Sequence, residues 1–67
     1  MDEQDKKAIS RMRELGYHKE SVDHWESLAD KLFDFPTVRQ VEEYAKNHPE
    51  DIKTKEGCLE FFIYATS

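Results

Sequence analysis

A chain of 67 residues carrying a formal charge of −5 lies near the size at which one apolar core just offsets the entropy of ordering its backbone. Little apolar surface is left to wall a deep catalytic pocket, so an enzyme is disfavoured. Apolar and charged fractions are equal at 37%, with two glycines and two prolines, which excludes wholesale disorder and predicts a folded core under a charged shell.

The sole cysteine, Cys58, excludes an intrachain disulfide and any zinc site built on paired Cys-x-x-Cys ligands, so a reducing, cytoplasmic setting is expected. MDEQDKK at the N-terminus has no apolar run behind its charges, and no uninterrupted apolar stretch of about eighteen residues occurs, so neither a signal peptide nor a membrane span is expected.

In chain order, residues 1–4 are expected to fray into a first helix running from about Gln4 to Leu15, with Ala8, Ile9, Met12 and Leu15 inside. Acids at its start and bases further on suit the helix dipole. Gly16 is placed to take the left-handed conformation after the last turn, with Tyr17 folding back onto it. The segment Ser21–Phe35, SVDHWESLADKLFDF, has the clearest period: Val22, Trp25, Ala29 and Leu32 at i, i+3, i+7 and i+10, broadened by Leu28 and Phe33. It predicts a second helix capped by Ser21 and closed by Pro36, with Trp25 at the centre of its buried arc.

Thr37 followed three residues later by Gln40 has the form of a capping box, and Val38, Val41, Tyr44 and Ala45 supply the period of a third helix, stopped at Asn47-His48-Pro49. Glu50 to Lys55 reads as a polar loop plugged by Ile52, with Thr54 a second cap. The final GCLEFFIYATS is apolar in every direction, so periodicity leaves helix and strand both open. No other segment alternates so as to pair with a strand, and a helix is expected. The predicted architecture is a single all-α domain, compact and orthogonal or bundle-like, of three to four helices, with a strand the alternative for the fourth. Its core is predicted to be Ile9, Met12, Val22, Trp25, Leu28, Ala29, Leu32, Val38, Val41, Ala45, Leu59, Phe62 and Ile63.

Catalytic and metal chemistry finds no purchase in the pattern. His18 and His24 are six apart and share no helix face, no H-E-x-x-H or Cys/His cluster exists, and His18, His24 and His48 read as surface residues. Cys58 sits beside Leu59 and aromatics, which suits a buried thiol better than an activated nucleophile. Asp30 with Asp34, and Glu42 with Glu43, are carboxylate pairs without apolar surroundings to raise a pKa. No cofactor is expected.

Charge is the stronger signal. Residues 20–51 hold nine acids against three bases. Asp23, Glu26, Asp30 and Asp34 recur at helical spacing beside the Trp25 arc, as a stripe suited to dock a basic surface or to imitate a run of phosphates. With Leu59, Phe62 and Ile63 turned inwards, Phe61 and Tyr64 would face outwards as an aromatic patch. These six residues (Asp23, Glu26, Asp30, Asp34, Phe61, Tyr64) are the predicted partner-binding set.

The stretch LADKLFDFPTVRQVEEYA resembles a helix-turn-helix DNA reader in its order of helix, turn and helix. It departs from that pattern at Phe33, where the turn carries glycine, at Pro36, and in a reading helix that sets Glu42 and Glu43 against Arg39 and Lys46. A helix ending in ELGY before two more is similar to three-helix ubiquitin-associated modules, although the second helix is longer than theirs. The function expected is a non-enzymatic acidic binding module, a regulator or inhibitor of the kind viruses and mobile elements encode, docking on a larger protein with a basic surface. A DNA-binding regulator and a structural subunit of an assembly are the alternatives.

Overall fold

A computed structural model describes residues 2–31 and 34–66. Four α-helices follow one another: α1 (Glu3–Leu15), α2 (Lys19–Leu28), α3 (Val38–Asn47) and α4 (Lys55–Thr66), with 3-10 turns at Ala29–Lys31 and Asp51–Lys53. The chain is all-α, with no strand among the described residues, and the C-terminal segment is a helix. Its Cα radius of gyration of 10.4 Å is close to the roughly 11 Å expected for a compact chain of this length.

Each boundary has a local cause. Gly16 at φ 88° ends α1, its N–H donating to the Arg13 carbonyl while the Tyr17 N–H donates to the Met12 carbonyl. Those two bonds form a Schellman motif and turn Tyr17 inwards. Thr37 and Gln40 exchange the reciprocal bonds of a capping box at the start of α3. The Thr54 hydroxyl accepts from the Gly57 N–H at 3.0 Å and so caps α4.

α2 departs from expectation at both ends. Its cap is His18, whose Nδ1 accepts from the Ser21 N–H at 3.3 Å, so Ser21 lies within the first turn and is not the cap. The helix stops at Leu28, because the chain must swing back to bury Pro36 and bring the Phe35 ring edge-on to Phe62, at 6.1 Å between centroids. Leu32 and Phe33, expected to extend the buried arc, lie outside the described residues.

The core joins Ala8, Ile9 and Met12 of α1, Tyr17 of the link, Val22 and Trp25 of α2, Val41 of α3, Ile52, and Cys58 and Phe61 of α4. Phe61 is wholly buried, its ring 5.3 Å from Tyr17, 6.3 Å from Trp25 and 4.8 Å from Tyr44. Trp25 is buried as expected and stacks on Phe62 at 4.5 Å. The Tyr17 hydroxyl donates to the Val41 carbonyl at 2.7 Å, and burial pushes its pKa well above the ordinary tyrosine value.

A polar junction lies under α4. The His18 N–H donates to the Ile52 carbonyl at 2.8 Å and also reaches the Cys58 Sγ at 3.3 Å, while the Cys58 thiol donates to the same carbonyl at 2.9 Å. The link before α2, the second 3-10 turn and α4 are thereby stitched at one point.

The rotation of α4 corrects the predicted core. Leu59 and Ile63, placed inside by the sequence reading, are 54% and 58% exposed, and Phe61, expected outside, is central. The cause is Gly57: a Cβ built there would overlap the backbone carbonyl of Asp51, so this side of the helix must lie against the 3-10 turn. Cys58 and Phe61 are then carried inwards and the Leu59–Ile63 side outwards.

Phe61→Ala is expected to cost about 3–5 kcal/mol in urea unfolding, while Ile63→Ala stays within about 0.5 kcal/mol. Gly57→Ala provides a test of opposite sign to helix propensity. Propensity alone would add up to about 1 kcal/mol of stability, whereas the overlap with the Asp51 carbonyl predicts a loss larger than that. A thermal midpoint raised by Gly57→Ala would show that α4 is set at another rotation.

Candidate functional site

The predicted carboxylate stripe is divided. Arg13 of α1 reaches across to α2, its guanidinium 2.8 Å from Asp23 and 3.2 Å from Glu26. The Arg13 hydrogen bond, aided by Lys19 at 3.5 Å from Asp23, holds the Asp23 carboxyl below its ordinary pKa. Both carboxylates remain about half exposed, and both are engaged in joining α1 to α2. Because α2 ends at Leu28, exposed Asp30 sits on the following 3-10 turn and exposed Asp34 beyond it, so the four acids do not share one helix face. The physical reason is the break of the 3.6-residue period at Ala29, which sequence spacing assumed to continue.

The aromatic pair is divided as well. Phe61 is in the core, and Tyr64 is 65% exposed. With Leu59 and Ile63, Tyr64 forms an apolar outer face on α4, at i, i+4 and i+5, interleaved with exposed Glu56 and Glu60. These three are the large hydrophobic residues that the fold leaves outside among those described. Sequence reasoning missed Leu59 and Ile63; the signal that could have found them was Gly57, a residue whose presence inside a helix marks a close backbone approach.

Two depressions flank this face. On the α2 side, Leu59 and Lys55 meet Trp25, His18 and His24 around a shallow groove of about 340 Å³. On the α3 side, a cleft of about 550 Å³ lies between Tyr44, His48 and Glu43 and the α4 residues Glu60 and Tyr64. Tyr44 is half-buried, its ring 4.4 Å from that of His48 and 6.3 Å from that of Tyr64.

The residues considered for catalysis are structural or dispersed. His18 caps α2, exposed His24 lends its carbonyl to Ser27, and His48 faces Asp51 at 3.5 Å. Among the described residues no three His, Cys, Asp or Glu side chains converge so as to hold a metal ion. Burial pushes the Cys58 thiol up, against a smaller opposing pull from the His18 N–H, which favours the protonated form over the nucleophilic thiolate. Glu42 pairs with Arg11 at 3.0 Å and ties α3 to α1, so it is unlike an isolated acid–base group. On α3, the helix that would enter a DNA groove, Glu42 and Glu43 are both exposed. Among the described residues no helix is long and apolar enough to cross a membrane.

Comparison with protein-family models, with curated proteins and with solved structures gives no match.

The Arg13 clamp carries a pH prediction. A carboxyl with a lowered folded pKa stabilises the fold above its unfolded value, near 3.8, and loses that contribution as pH falls through the folded one. In thermal melts by circular dichroism between neutral and strongly acid pH, Asp23→Asn should flatten the acid limb relative to the wild type. Identical limbs would show that the contact with Arg13 contributes nothing to the fold.

Proposed function

We propose that the protein is a non-enzymatic binding module, acting as a regulator or inhibitor, whose α4 outer face seats in an apolar cleft with a Lys/Arg rim on a larger protein. The observation that carries this reading is the outward setting of Leu59, Ile63 and Tyr64 on one helix face. Scattered exposed apolar residues are ordinary, but Leu59 and Ile63 stand at the i, i+4 spacing of helix-in-groove anchors, with Tyr64 at the border of the same exposed side. Glu56 and Glu60, interleaved with them, select the charge of the rim: a basic border both complements them and speeds encounter.

Charge also argues against a second copy as the occupant. Each chain carries −5, and a symmetric contact through α4 would bring the two sets of Glu56 and Glu60 together. The same excess of acids opposes a phosphate backbone, which places DNA binding behind protein docking. Asp30 and Asp34 are exposed outside the Arg13 clamp and add to the acidic surface.

The test uses the intact chain as bait in a lysate of the organism that carries it, beside the double variant Leu59→Gln, Ile63→Gln. A protein captured by the wild type, released at moderate salt and lost with the variant, whose melt stays unchanged, supports the reading. Charge reversal at Asp30 and Asp34 together should weaken the same capture. Capture indifferent to the α4 variant, a dimer in sedimentation that the variant dissolves, or retention on DNA at moderate salt would each overturn it.

A further inference from the structure

We propose that the cleft between α3 and α4 is the receptor for an arginine side chain presented by the partner protein. This inference rests on the docking reading above and names the chemistry of one of its contacts. The cleft borders the apolar face of α4, so a chain segment lying along Leu59 and Ile63 passes its mouth.

Its walls combine the two features a guanidinium requires. Tyr44 and Tyr64 present rings 6.3 Å apart and inclined by 33°, and a planar cation stacks on such faces through the ring quadrupole. Glu43 on α3 and Glu60 on α4 contribute carboxylates to the same lining, and a guanidinium fork pairs with such groups. Arg39 stands in the same lining, so the cleft holds two carboxylates against one guanidinium and keeps an excess of negative charge.

The receptor is preorganised on one side. Tyr44 is held by the Phe61 ring at 4.8 Å and by the His48 ring, inclined to it by 33°, at 4.4 Å. Burial first, and then the nearby carboxylates of Asp51 and Glu60, push the Tyr44 hydroxyl pKa up. A ring already held in place loses little freedom when a cation settles on it.

The experiment titrates the full 15N-labelled chain at constant ionic strength with N-acetyl-L-arginine amide, its neutral isostere N-acetyl-L-citrulline amide, and N-acetyl-L-lysine amide. We expect saturable amide shifts confined to residues 43–48 and 60–64, with citrulline about fivefold weaker than arginine and lysine also weaker. Tyr64→Leu and Glu60→Gln should each weaken arginine binding about two- to fivefold with an unchanged melt. Shifts that do not saturate, that lie elsewhere, or that are equal for arginine and citrulline would overturn the site. Lysine amide binding as tightly as arginine amide would overturn the guanidinium assignment. If arginine amide fails while the Leu59/Ile63 variant still loses its captured protein, the arginine receptor falls and the docking face stands; the reverse outcome separates them in the other direction.

Discussion

The close approach of Gly57 to the Asp51 carbonyl is the constraint on which the arrangement of this small fold depends. A helix with apolar side chains in every direction has no preferred face of its own, so its rotation must be set from outside. Here the absence of one Cβ lets α4 settle against the 3-10 turn, where the Cys58 thiol and the His18 N–H meet at the Ile52 carbonyl. Phe61 is then delivered to the centre, among Tyr17, Trp25 and Tyr44, and three helices and a link converge on one ring. In a chain of this size such a hub replaces the layered core of a larger domain.

Charged groups finish what the hub begins. Arg13 fastens α1 to α2 through Asp23 and Glu26, and Arg11 fastens α1 to α3 through Glu42. These pairs are partly solvated, so each contributes modestly and their main effect is to fix the relative setting of neighbouring helices. Two bases of the first helix thereby pair with three of the acids in the middle of the chain, while Glu43, Glu56 and Glu60 lie exposed around the last helix. A net charge read from composition thus says how much field the molecule carries, while the pairing decides where that field is felt.

Local signals in the sequence were legible wherever a backbone requirement admits few residue types. Gly16 at a positive φ, the Thr37/Gln40 box and the Thr54 cap are all read from three or four neighbouring residues, and the buried arc of Val22 and Trp25 follows from spacing. What failed was anything fixed by contact at a distance. The His18 cap was hidden because histidine serves as one only in a suitable rotamer and tautomer, and the end of α2 at Leu28 follows from where Phe35 and Pro36 must pack. The inversion of α4 is the most instructive case, since Phe61 and Ile63 are equally apolar and only a residue six positions before Gly57 decides between them. The candidate site inherited both errors, because its acids were placed on a helix taken to be longer and its aromatics on a helix taken to be rotated.

The correction of α4 also bears on what the surface is for. Had Leu59 and Ile63 been core residues, the acidic stripe alone would have had to recognise a partner, and solvated carboxylates supply encounter rate and orientation more readily than affinity. With the apolar groups outside, the two contributions come from one place: burial of Leu59 and Ile63 provides the non-directional attraction, and Glu43, Glu56 and Glu60 around them provide the selection. On the reading proposed here, a chain too small to enclose a ligand recognises one by withholding part of its limited apolar inventory from its own core. The same physics that limits its interior therefore directs attention to the outer side of its last helix.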